Sequence, residues 1–216
     1  MSWADNALLQ RVITDMRRKR FAFFRELVRD LPRPLHILDI GGTEAFWGEV
    51  EFASPAEVHV TILNVDAPLT TRLNTIGVKG DARSMPEFSN GQFDIAFSNS
   101  VIEHVGDYND QRAMAAEVRR VGKRYFVQTP NRHFPLEPHF LVPGFQYLPE
   151  DVGVLLLQNI RLGHVPRTPD PVAARALVRA TQLMTKDQLI GAFPGAKLYE
   201  ERAFGLVKSY TCYGGF

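Results

Sequence analysis

Ile37-Leu38-Asp39-Ile40-Gly41-Gly42-Thr43-Glu44-Ala45 is the stretch on which the fold turns. The run from Leu35 to Ile40 (LHILDI) is short, apolar and stops at two glycines. That pattern reads as a buried strand entering a tight turn. Residues 43–52 (TEAFWGEVEF) follow as a connecting helix. Glycines in such a turn let the backbone approach a ligand and adopt positive φ. Free N–H groups at the next helix start favour a carboxylate or phosphate. A tight turn that needs glycine only for packing fits the fragment equally well.

Outward from this turn the rhythm repeats. Val58–Val65 (VHVTILNV), Phe93–Ser98 (FDIAFS) and Arg124–Gln128 (RYFVQ) read as further strands, and residues 107–121 as a helix. Strand–helix alternation implies right-handed crossovers and a mostly parallel sheet. Ligands on such sheets lie beyond the carboxyl ends of the strands. Ahead of the sheet, residues 3–30 read as a helix that Ser2 can cap, with Leu8, Leu9, Val12, Ile13 and Met16 at helical spacing. Pro32 and Pro34 end it. Residues 132–184 break the alternation with Pro, His and aromatics, then partly helical stretches at Asp151–Leu162 and Pro171–Met184. So long an interruption at a sheet mouth reads as a functional cover. Thr185-Lys186-Asp187-Gln188 resembles a capping box opening a last helix. Ala196–Gly205 and Leu206–Tyr213 read as a terminal antiparallel pair. The expectation is one domain over residues 1–216, with an N-terminal helical segment at 1–34 and a substrate cover at 132–184.

The 216 residues carry 25 Lys+Arg against 24 Asp+Glu, a net charge of +1. That gives no global reason for nucleic-acid binding. Cys212 is the single cysteine, so no internal disulfide or cysteine-rich zinc site forms. The longest apolar run, Val154–Leu157, is too short to span a bilayer. No basic-then-apolar signal opens the chain, so a cytoplasmic protein is expected. The basic run Arg17-Arg18-Lys19-Arg20 reads as a solvated helix face.

Polar residues at the strand tips carry the chemistry. Asp66 follows the second strand, where a carboxylate holds a ribose diol, with Asn64 as the alternative position. Asp81 and Ala82, in Val78-Lys79-Gly80-Asp81-Ala82, can bracket an adenine. Ser98, Asn99, Glu103 and His104 cluster in Phe93–Val105 (FDIAFSNSVIEHV). Read singly, each acid is as well explained as a loop aspartate.

Taken together, ILDIGG, VKGDA, FDIAFSNSVIEHV and QTPNRHFPLEPH resemble, in order and spacing, the class I S-adenosylmethionine-dependent methyltransferases, over about residues 35–130. The resemblance implies an α/β, doubly wound Rossmann-like fold. Its mostly parallel seven-stranded sheet would carry a terminal antiparallel strand and an insertion after strand five. It implies S-adenosylmethionine as cofactor. Asp39, Gly41 and Gly42 would hold its methionine part, Asp66 the ribose, and Asp81 and Ala82 the adenine. Ser98 and Asn99 would line the strand-four tip near the sulfonium. Thr43 and Ala45 stand where the family usually has glycine. A nicotinamide dehydrogenase would want G-x-G-x-x-G, which Gly41–Phe46 does not supply.

Methyl transfer from a sulfonium needs positioning and a dry site. A hydroxyl acceptor also needs a base. His104, His133, Glu137 and His139 are the candidates, three of them just past strand five. His133, Glu137 and His139 also look like metal ligands, but no second cluster supports a site and no metal is assigned. Transfer to oxygen of a small-molecule or glycan/lipid-precursor acceptor is the expectation. A non-catalytic S-adenosylmethionine-binding or partner-binding protein of the same fold is the alternative. The stretch Pro149–Leu162 is amphipathic enough to close over a substrate or pair with a second subunit as a homodimer.

Overall fold

A computed structural model describes residues 7–49, 56–66 and 68–216, without the side chains of 7–13 and 49. Ser2 and Trp3 lie outside the described residues, as does the end of the expected 43–52 helix. Helix α1 runs Ala7–Val28 and α2 Glu44–Glu49. The five leading strands are β1 Leu35–Ile40, β2 Val58–Asn64, β3 Thr75–Lys79, β4 Ile95–Asn99 and β5 Tyr125–Pro130. Helix α3 (Tyr108–Val121) precedes β5, and α4 (Glu150–Asn159), α5 (Pro171–Arg179) and α6 (Lys186–Ala192) follow it. Strands β6 (Lys197–Ala203) and β7 (Leu206–Gly214) close the chain.

The sheet order is β3-β2-β1-β4-β5-β7-β6. Strands β1 to β5 pair in parallel, and β7 runs antiparallel to both neighbours. The expected seven-stranded, doubly wound sheet is present. β3 is an edge strand that no apolar run announces; Ile76 is exposed and Gly77 interrupts it. The chain reverses direction at β1, so the crevice at the carboxyl ends of β1 and β4 is the expected binding position.

Side-chain alternation sorts the strands onto two layers. Leu38, Ile40, Ala96 and Val127 face α3 and α6, packing on Met114, Val118, Leu189 and Phe193. Ile37, Ile62, Ile95, Phe97 and Phe126 face α1 and α2, packing on Phe21, Phe24, Val28 and Trp47. Asp107 caps α3 with a full capping box, and Thr185 caps α6 in the same way, as its sequence suggests. The segment 132–184 carries a small core of its own, with Phe140, Phe145, Val154, Leu157, Leu162 and Ala174 buried together. Among the described residues, no helix is long and apolar enough to cross a membrane.

Candidate active site

The turn after β1 is built around Asp39. Its position on β1 points the side chain into the α1/α2 layer, where it is buried and accepts a 2.7 Å hydrogen bond from Trp47 Nε1–H. Burial pushes its pKa up to about 7, against the opposing pull of that hydrogen bond. A Cβ on Gly42 would overlap the Asp39 carboxylate, and one on Gly41 (φ 74°) would overlap Val101. Both glycines therefore make room for the chain's own side chains. Asn64, at the tip of β2, donates through Nδ2 to the Gly42 carbonyl at 2.9 Å and fixes the turn from the other side.

A cavity of about 740 Å³ opens beside this turn, lined by Asp39, Gly41, Gly42, Thr43, Asn99 and, from α1, Arg17 and Arg18 among others. A second cavity, of about 610 Å³, adjoins it and is lined by Ser100, Gln128, Pro135, Leu136, His139 and Lys208 among others. The two share Arg17, Arg20 and Asn99. Among the described residues, no Asp or Glu lines the second cavity. The Lys208 ammonium in its wall is held below the usual lysine range, because burial penalises its charge.

Arg20 is the hinge between them: Arg17, Arg18 and Lys19 are exposed, as a solvated face requires, and Arg20 alone of the basic run turns inward and is buried. Met16, Arg20, Phe24 and Val28 fall on one stripe of α1, and all four are buried. Arg20 Nε and Nη2 donate to the two carboxylate oxygens of Glu201 at 2.8 Å each. Its Nη1 donates to Gln128 Oε1 at 3.0 Å and to Asn99 Oδ1. Ser209 donates to Glu201, and Ser100 to Gln128 at 2.8 Å. Arginine on an i, i+4 apolar stripe was the available signal for this network.

The other sequence candidates fall in different places. Ser98 does not reach the cavities: alternation turns it to the opposite layer from Phe97 and Asn99, where it is buried and donates to the Ile40 carbonyl at 3.2 Å. Asp66 is 95% exposed beyond β2, 3.8 Å from Lys79. Asp81 is bound by Arg83, whose Nη2 is 2.7 Å away, and its carboxyl sits below the usual range through that hydrogen bond. Neither Asp66, Asp81 nor Ala82 lines either cavity. His133 is exposed, with Nδ1 3.2 Å from the Tyr147 hydroxyl, and lines neither cavity.

Glu103, His104, Glu137 and His139 do come together. Glu103 follows β4 in a short 3-10 turn, Ile102–His104, and is fully buried. Burial holds its carboxyl above the usual range. Glu137 Oε1 accepts from His139 Nδ1 at 2.7 Å, while Oε2 accepts the backbone N–H groups of His139 and Phe140. Burial works against charge on His139, but the Glu137 hydrogen bond and the Glu137 and Glu103 charges outweigh it and raise the imidazole pKa. The His104 ring packs edge-on against His139, centroids 4.8 Å apart.

A methyltransferase-domain family model matches residues 48–125, from α2 to the start of β5. An uncharacterized protein of Mycobacterium tuberculosis is 40% identical over 57 residues, 26% of this chain and 20% of the relative. The match thus spans about a fifth of that relative's length. Among solved structures, the putative methyltransferase of Haloferax volcanii, in complex with a methyltransferase activator, superposes with a TM-score of 0.52. It shares 10% identity over 99% of this chain and 97% of its own. The CurJ carbon methyltransferase gives a TM-score of 0.53 at 12% identity, covering 86% of this chain and 50% of that one. A putative zinc-dependent alcohol dehydrogenase of Rhodobacter sphaeroides gives 0.56 at 11% identity, over 88% and 87%. At such identities the solved structures speak for the fold. The matched segment is a methyltransferase domain, the solved structures share the fold, and S-adenosylmethionine is the cofactor that such a domain implies.

The cavity beside Asp39 suits the amino-acid end of that cofactor. It presents a buried carboxylate for an ammonium and the guanidinium groups of Arg17 and Arg18 for a carboxylate. Its volume lies in the range of cofactor pockets, roughly 300–1,000 Å³.

Proposed function

We propose that the chain transfers the methyl group of S-adenosylmethionine to an oxygen of a small-molecule or glycan/lipid-precursor acceptor. The observation that carries this reading is the pair of adjoining cavities. One flanks the β1 turn, the other is largely apolar, and Asn99 stands where they meet. A donor in the first and an acceptor in the second would have their reacting atoms close together, which is most of what methyl transfer requires.

In this reading Asp39, with Gly41 and Gly42, holds the methionine ammonium, and Asn99 lines the sulfonium. Ser98 supports the β4 tip from beneath. Asp66, Asp81 and Ala82 are assigned the ribose and adenine, which requires the side chains of Asp66 and Asp81 to leave Lys79 and Arg83. Asn64 stands nearer the turn as the alternative for the ribose. The bound cofactor supplies an activated methyl group. The chain's own residues position it, exclude water and accept the acceptor's proton. His139 and His164 both stand in the acceptor cavity wall; of the two, His139 is backed by a carboxylate, Glu137, so proton removal falls to the group of His104, Glu137 and His139, with His133 outside it. A cavity with no carboxylate among the described residues of its wall, and with Lys208 and Arg17 in it, favours an acceptor carrying negative charge.

Isothermal titration with the demethylated cofactor, S-adenosylhomocysteine, tests the reading. A micromolar dissociation constant is expected for the folded protein, weakened at least tenfold by Asp39→Asn. Absence of binding heat from protein shown to be folded by circular dichroism would refute it.

A further inference from the structure

The cluster at the acceptor wall holds more than a base. Glu103 is fully buried, yet only one of its carboxylate oxygens is engaged: Oε2 accepts from the Thr129 hydroxyl at 3.0 Å, and Oε1 has no hydrogen-bond partner. An orphaned buried carboxylate oxygen is costly and calls for a counter-group. Two imidazoles stand beside it, and one ligand atom each from Glu103, His104 and His139 lies within 4.8 Å of the others.

Both rings are already oriented from behind. His104 Nδ1 is 2.9 Å from the Ala180 carbonyl oxygen, which can only accept, so Nδ1 carries the proton. His139 Nδ1 is 2.7 Å from Glu137 Oε1, and the same holds. In the neutral rings this leaves the Nε2 lone pairs free. A carbonyl or carboxylate behind each ring and a hydroxyl behind the carboxylate is the outer support that metal ligands characteristically have. Two imidazoles and one carboxylate suit a divalent transition ion and leave a coordination position open.

We propose that Glu103 Oε1, His104 Nε2 and His139 Nε2 form a three-ligand site for a divalent transition metal behind the acceptor cavity, whose wall His139 reaches. The ligand atoms of a tetrahedral zinc shell are roughly 3.3 Å apart, from bond lengths of about 2.0–2.1 Å. Small rotations of the two rings close the observed spacing. Glu137 acts as a positioning residue through His139. The set differs from the sequence grouping of His133, Glu137 and His139. His133 is turned toward Tyr147, and Glu103 comes from the 3-10 turn that follows β4. Metal binding stands independently of the methyltransferase reading, but its use in catalysis rests on it. There, an ion held by these residues would supply Lewis-acid activation of the acceptor hydroxyl in place of the free imidazole base: the hydroxyl proton would pass to water, and the oxygen electron pair would form the O–CH3 bond as the sulfonium S–CH3 bond breaks.

The test titrates Zn2+ alone into chelator-treated full-length protein at pH 7.5, with Co2+ as a spectroscopic substitute. One equivalent should bind with micromolar or tighter affinity, and Co2+ should show visible ligand-field bands of nitrogen–oxygen coordination. His104→Ala and Glu103→Gln should each weaken binding at least tenfold, and Glu137→Gln by about 10–100-fold. His36→Ala should leave it unchanged, although His36 stacks on His59 elsewhere on the molecule. S-adenosylhomocysteine titrated into the same variants reports on the methyltransferase reading separately and is expected to be unaffected. Circular dichroism confirms folding, and His104→Ala, an exposed position, serves if Glu103→Gln does not fold. No Zn2+ binding by folded protein, or binding insensitive to His104→Ala, overturns the proposal. Loss of binding in His36→Ala places the ion at the other histidine pair and overturns it too.

Discussion

Asp39 is caught between solvation and service. Its folded pKa of about 7 lies above its ordinary value of 3.8, because burial penalises the carboxylate more than the Trp47 N–H rewards it. The native state therefore binds a proton more readily than the unfolded chain between these values. Stability from this residue is fully present below the unfolded value of 3.8 and is lost progressively as pH rises through about 7, by a few kcal/mol at most. Urea unfolding at pH 5 and pH 8 should show that loss, and Asp39→Asn should flatten it. A ligand ammonium reverses the preference. Affinity for S-adenosylhomocysteine should fall more than tenfold from pH 8 to pH 5.5 in the natural protein, and hardly at all in Asp39→Asn. Equal slopes in calorimetry would remove Asp39 from the site.

At the scale of elements, α1 and β6 are joined by the Arg20–Glu201 pair, both partners buried, and by the stacked rings of Phe23 and Tyr199. Removing one side leaves the other charged and desolvated, which costs about 3–5 kcal/mol in comparable pairs. Arg20→Met should destabilise by that amount in chemical denaturation, and Arg20→Met/Glu201→Leu should recover most of it. A double variant no better than the single would mean that the surrounding Asn99, Gln128 and Ser209 bonds dominate. Here the sequence was only partly legible. Strands β1, β2, β4 and β5 announce themselves by apolar runs, and the α6 capping box by its spacing. β3 does not, since an edge strand with Gly77 and exposed Ile76 has little burial to record. Arg20 was hidden because charge outweighs position when a basic run is read, although its i+4 partners Met16 and Phe24 were in view. Ser98 was misplaced by one residue of alternation. Asp39, Gly41 and Asn99 were legible as tip residues, whereas Glu103 acquires its chemistry only once Thr129, His104 and His139 are folded around it.

Over the whole molecule, two cores lie on the faces of one sheet, and a third, smaller one lies inside residues 132–184. A small core joined to the rest through loops opens at lower free energy than central strands. Native-state hydrogen exchange should show amides of α4 and α5 exchanging through openings that leave β1, β4 and β5 protected. Simultaneous exchange of both regions would make the molecule a single cooperative unit. The guanidinium that pins the N-terminal helix is also the party wall between the two cavities. A tenant on one side must then alter the terms on which the other side is let. By reciprocity, whatever factor the donor applies to acceptor affinity, the acceptor returns to the donor. Departure of the spent nucleoside would then depend on whether the methylated product has already gone.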